Sequence, residues 1–248
     1  MSVIAATLPA AFRDAWANRR SFWFQVTVMV VNDLTWVAFW VLFFHRVPSI
    51  RGWQLDDVLV LFSIILTVSG LGIGVLSNCR RIGHIAADGE LDAVLTLPVD
   101  PLVYLLTRRI DTALLGDLAL GPVLFAVAGH PTPARVAIYV FGCLAGTLAL
   151  VGFLVAISAL TMLVGGRGEQ ADLGFHAILV LASYPIDLFG GATKVLLFTA
   201  IPAAFVSGLP ARLVRHFETS TALLTLGASI LLVTAAVVVF RLGLRRLR

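Results

Sequence analysis

Lysine is almost missing from this chain of 248 residues: Lys194 stands alone, and neither Gly-Lys-Ser nor Gly-Lys-Thr occurs. A phosphate-cradling P-loop needs that lysine, so no Walker-type site for ATP hydrolysis is encoded here. There is also no His-Glu-x-x-His run, which removes the helical zinc-protease pattern. Ser69-Gly70 and Ser207-Gly208 lack the flanking glycine of a nucleophile elbow. Two cysteines, Cys79 at the inner end of the second apolar stretch and Cys143 in the outer half of the fourth, are placed apart and read as free structural thiols. Charge is scarce as well. Charged residues make up 13% of the chain, against 59% hydrophobic and a mean hydropathy of +0.98. A soluble domain carries about 25% charged residues, and a globule this apolar would expose extended greasy patches. Disorder is excluded by the same excess. The class that remains is an all-α integral membrane protein.

Crossing a bilayer takes about 20 apolar residues per helix. Stretches of that kind run at 22–44, 58–78, 110–128, 135–164, 172–189 and 221–240, while 195–209 is short and carries Pro202. The last suits a re-entrant or interfacial segment within 190–218. Six crossings put both termini on one side. With the N-terminus cytoplasmic, the inside set is Arg13, Arg19, Arg20, Arg80, Arg81, Arg108, Arg109, Arg167, Arg241, Arg245, Arg246 and Arg248. Only Arg46, Arg51, Arg135, Lys194, Arg212 and Arg215 then fall outside. Twelve against six obeys the positive-inside rule, and a seventh span would move the basic tail across. The excess of 18 basic over 14 acidic residues is therefore an orientation signal and does not call for nucleic acid.

Residues 1–21 have no continuous apolar core ahead of Arg13 and read as an amphipathic helix lying in the interface, with Leu8, Phe12 and Trp16 on one face. Gly70 and Gly74, like Gly142 and Gly146, have the small-xxx-small spacing that lets helix backbones approach. Asn32 and Asp33 lie deep in the first span, beside Trp36. A carboxylate there marks a substrate path or proton site, or pairs with an arginine of a neighbouring helix. Asp111 and Asp117 follow Arg108-Arg109 and read as their neutralising partners, and His176 as a packed or interfacial histidine.

The densest polar cluster is 79–101, CRRIGHIAADGELDAVLTLPVDP. Ile85, Leu91, Val94 and Leu95 form one apolar face of a short helix. Glu90 and Asp92 suit its N-terminus, and Pro98 and Pro101 end it. Something must receive that apolar face, either the chain's own bundle or a partner.

At this loop the sequence resembles the permease subunits of ABC transporters of the ABC-2 type, the small six-span permeases that work with a separate ATPase. Their inside-loop pattern Gly-x-Leu-Asp-x-x-Leu-x-x-Pro is matched by Gly89, Leu91, Asp92, Leu95 and Pro98; Thr96 stands where the family carries a basic residue. Ile50-Arg51-Gly52-Trp53 with Asp56-Asp57 is similar to the segment opening the second span. Tyr184-Pro185, Ile201-Pro202-Ala203-Ala204 and Leu209-Pro210-Ala211 resemble the Pro-marked outer segment before the last span. The resemblance implies an elbow helix, six spans, a cytoplasmic coupling helix and outer re-entrant helices between spans five and six. It implies a bacterial inner-membrane location, a second permease chain and a cytoplasmic ATPase dimer that holds ATP and Mg, with no cofactor in this chain. Coupling would fall to Gly83, Gly89, Glu90, Leu91, Asp92, Leu95 and Pro98, and arginine at Leu91 or Leu95 is expected to break the ATPase contact. Tyr184, Pro185, Pro202 and Pro210 would shape an outer gate, with Asn32, Asp33 and Trp36 along the path of a hydrophobic or amphipathic substrate such as a drug, lipid or peptide. Two other readings stand beside it: an ion-coupled carrier or channel using Asp33, and a lipid-modifying membrane enzyme.

Overall fold

The computed structural model describes residues 3–166 and 168–247. Met1 and Ser2 of the leader, and Arg167 and Arg248 of the inward basic set, lie outside the described residues. Among the described residues twelve α-helices follow one another: α1 (Val3–Ala17), α2 (Arg19–Arg46), α3 (Leu55–Ser69), α4 (Ile82–Ala87), α5 (Glu90–Leu95), α6 (Pro101–Thr107), α7 (Leu115–Ala128), α8 (Pro133–Val164), α9 (Glu169–Ala182), α10 (Gly191–Phe198), α11 (Leu209–Arg215) and α12 (Thr219–Leu247). Among the described residues, four helices are long and apolar enough to cross a membrane: α2, α3 with its extension to Val75, α8, and α12 as far as Arg246.

Local chemistry sets these limits. Thr132 caps α8 by accepting from the Arg135 amide at 3.2 Å, with Pro133 opening the helix, and Gly165 ends it in the left-handed region at φ 82°. Asp100 likewise accepts from the Val103 amide at 3.0 Å ahead of Pro101. In the stretches 110–128 and 172–189 the continuous helix is shorter than the apolar run. Their helices, α7 and α9, have 14 residues each, about 21 Å of rise, because residues 110–114 are turn and Pro185 follows close behind α9.

Helix α8 is the axis of the bundle, touching α12, α3, α11, α4 and α9, while α3 packs along α7 and is buried on all sides. The glycines explain how closely the rods approach. A Cβ on Gly70 would lie 2.6 Å from the Leu118 amide nitrogen, one on Gly74 3.3 Å from the Leu114 carbonyl oxygen, and one on Gly142 3.0 Å from Pro210 Cβ. A Cβ on Gly146 would collide with the Val206 carbonyl oxygen. The small-residue spacing is thus used for backbone contact between helices. Cys79 and Cys143 are both free and buried.

At the end of the bundle opposite α4 and α5, Trp53 is fully buried and donates from Nε1 to Asp187 Oδ2 at 3.1 Å. Arg215 ties three segments there: Nε lies 2.8 Å from Asp57 Oδ1, one Nη donates to the Gly52 carbonyl at 2.8 Å, and the guanidinium sits 4.4 Å from the Trp53 ring centroid. Truncation (Arg215→Ala) is expected to cost about 2 kcal/mol and lower the thermal unfolding midpoint in detergent. Arg215→Lys should recover only part of it, since an ammonium cannot fork and stack at once. Arg212→Ala, at an exposed neighbour, is the control; equal midpoints for the two alanine variants would refute this latch.

Candidate functional site

Two places concentrate polar chemistry. The first is the segment 80–98, where α4 and α5 meet at Gly89, which adopts φ 75°. Its apolar face is received by the chain itself: Ile85, Leu91 and Val94 are buried and Leu95 is half-buried. Asp88, Gly89, Glu90, Asp92, Ala93, Thr96, Leu97 and Pro98 form the exposed rim. Gly83 is the anchor. Its amide donates to Ser158 Oγ at 2.9 Å, and Ser158 Oγ donates to the Arg80 carbonyl at 3.1 Å. A Cβ on Gly83 would run into Thr161 Oγ1 and lie 3.0 Å from the Ser158 carbonyl oxygen. From α9, Asp172 reaches both Arg80 (3.5 Å) and His84 (3.1 Å). The segment is therefore clamped to α8 and α9.

An ion pair here overturns one expectation. Arg108 pairs with Glu90 at 2.9 Å, rather than with Asp111 or Asp117. Asp111 instead caps the turn at Ala113 from 3.2 Å. Burial overturns another. Arginine at Leu91, which is 2% exposed, would eject the segment from its own bundle before any partner could report on it. His176 is exposed and bonds back to the Asp172 carbonyl at 2.7 Å.

The second place is a cavity of about 210 Å³ between α2, α3, α7 and α9. Asn32, Asp33, Ser69, Asp117, Ser183 and Tyr184 supply its polar groups, and Met29, Phe62, Ile65, Leu66 and Leu179 its apolar wall, with Trp36 and Val180 at the exposed side. Asp33 and Asp117 are each 2% exposed. Asn32 Nδ2 donates to Asp33 Oδ1 at 3.3 Å, and Ser69 Oγ donates to Asp117 Oδ2 at 2.7 Å. Asp33 Oδ2 and Asp117 Oδ1 have no partner. Among the described residues no basic side chain pairs with either carboxylate, so the arginine partner considered for Asp33 is not what it meets. Sequence reasoning singled out Asn32, Asp33, Trp36 and Tyr184, and the structure brings these four to one cavity; it missed Ser69, Asp117 and Ser183. A second carboxylate inside an apolar stretch was the available signal.

The Pro-marked segment is arranged differently. Tyr184 packs edge-on to Trp40, with centroids 5.8 Å apart. Pro185 and Pro202 are buried, and Pro210 opens α11 against Gly142 of α8. Tyr184 thus belongs with the carboxylate cavity and Pro210 with the α8 contact.

A family model described as "ABC-2 family transporter protein" matches residues 30–248. The chain belongs to the ABC-2 transporter family. It is accordingly a multi-pass membrane permease of an ABC transporter, and permeases of this family work in general with an ABC ATPase. No curated protein and no solved structure matches the permease. The matched region takes in both the clamped 80–98 segment and the carboxylate cavity, but begins beyond α1, which lies on α6 through the Thr7 and Thr107 hydroxyls at 2.6 Å.

Proposed function

We propose that this permease is the membrane-embedded half of an ATP-driven exporter of hydrophobic or amphipathic molecules in a bacterial inner membrane, moved by a separate ATPase dimer that carries ATP and Mg. Family membership over 30–248 is the observation that carries this reading. In it, α1 is the elbow helix lying in the cytoplasmic lipid interface, and α4–α5 is the coupling element. Six crossings use α2, α3, α7, α8, α9 and α12, the two short helices being completed by residues 110–114 and 183–189. Residues 190–218 return into the outer leaflet without crossing. Both termini then face the cytoplasm, and a second permease chain, the same or related, completes the path.

The mechanics follow from the clamp. ATP binding closes the nucleotide-binding subunits against the exposed rim, Glu90, Asp92 and Pro98 among it. Gly83 and the Arg80–Asp172 and His84–Asp172 pairs hand the displacement to α8 and α9. Nucleotide drives transport only if it binds one packing of the bundle better than the other. The test is reconstitution with its partner ABC ATPase: export of a fluorescent amphiphile should require ATP and stop when the ATPase loses its Walker glutamate. Full export under a proton gradient alone, with no ATPase present, would instead establish the ion-coupled carrier built on Asp33.

A further inference from the structure

Asp33 on α2 and Asp117 on α7, both buried, line the same cavity. Each also presents an oxygen with no donor. Burying two like charges in a low-dielectric interior is costly, and leaving their acceptors empty adds to it. A proton, or a cationic group that takes its place, relieves that cost.

We propose that the Asp33–Asp117 pair binds a cationic nitrogen, so that the cargo is a lipophilic amine or guanidine whose charged head enters this cavity from the bilayer. This deepens the permease reading and rests on it for calling the occupant cargo. Three features carry it. An ammonium brings N–H donors to the two orphan oxygens, with Asn32 and Tyr184 beside them. Trp36, 43% exposed, stands at the mouth, where its ring face attracts a passing cation. The volume, about 210 Å³, falls below the roughly 300 Å³ at which pockets for whole drug-sized molecules begin. A head group fits, and the tail stays in lipid along Trp36, Phe39 and Val180, all exposed.

The test uses the full chain in phosphatidylcholine nanodiscs, with empty discs as the blank. Dansylcadaverine supplies the ammonium, and its hydroxyl-ended analogue supplies the same tail without charge. Wild type should bind the amine about tenfold or more tighter than the alcohol. Asp33→Asn and Asp117→Asn should each erase that preference. In the unmutated chain, the amine should protect these carboxyls from dicyclohexylcarbodiimide, read by mass spectrometry, and the alcohol should not. Equal binding of the two probes, a preference that survives the double variant, or unprotected labelling overturns the proposal. So does displacement of the amine by sodium but not by equal potassium, which would assign the pair to an inorganic ion. No ATPase or ATP is present, so failure here leaves the ATP-driven reading intact, and failure of that reading leaves this binding result unchanged.

Discussion

Arginine in place of Ala93 is expected to abolish co-purification of the cognate ATPase while the permease remains monodisperse. The expectation comes from the division of α5 into two faces. Leu91 and Val94 hold the helix to the bundle, whereas Ala93 and Asp92 lie exposed on the rim. A long cation at position 93 therefore has solvent to occupy in the free permease and disturbs no buried contact. In the complex it would be driven into the packed centre of an interface, where overfilling and an unpaired charge together cost several kcal/mol. Ala93→Ser, which keeps the size, should leave the complex intact. Co-purification of Ala93→Arg at the wild-type ratio would remove the rim as the ATPase contact, and with it the proposed route of coupling.

The largest stability effect is expected from Gly121→Leu. Its Cβ would lie 2.8 Å from both the Ser63 carbonyl oxygen and the Thr67 amide nitrogen. Both are backbone atoms of α3, so neither can rotate away. Helices α3 and α7 would have to separate, losing the contact at Gly70 and Leu118 as well and drawing Asp117 away from Ser69. We expect a cost of about 3 kcal/mol or more, seen as loss of the monodisperse fraction after extraction. Gly227→Ala in α12 is the counterpart. No atom lies within 4 Å of a Cβ there, and the helix gains about 1 kcal/mol of propensity. A Gly121→Leu permease that extracts and melts like wild type would mean that α3 and α7 do not meet as described.

Long uninterrupted apolar runs made α2, α3, α8 and α12 legible, because length against bilayer thickness is a one-dimensional property. The short helices were not. Nothing in the hydropathy of 110–128 announces that residues 110–114 form a turn, for which Asp111 bonds to Gly74 and Ala113. That turn also explains the misassigned carboxylate. Placing Asp117 near Arg108-Arg109 assumes one continuous helix, and the break resets the rotational phase so that Asp117 faces Ser69 and Asp33. Asp33 itself was legible as a lone charge among apolar neighbours, but its partner lies in a different helix, and pairing across helices is written in no local pattern. Leu91, Val94 and Leu95 do share α5, but Ile85, expected on the same short helix, belongs to α4 because Gly89 breaks the segment; the destination of that apolar face was left open, since a bundle and a partner offer an amphipathic helix the same reward.

One length has a mechanical consequence. The 32 residues of α8 make a rod of about 48 Å, held near its C-terminal end through Ser158 and crossed near the other by Val206 and Pro210. Hydrogen-bonded along its axis, such a rod resists compression, so a displacement at the Ser158 end reaches the segments of α3, α7 and α11 that meet its N-terminal half. A pivot of about 5° would carry the distant tip through roughly 4 Å, given that length. That is comparable to the width of an alkyl chain, so under the proposed mechanism a small stroke by the ATPase would be enough to part or close the far side.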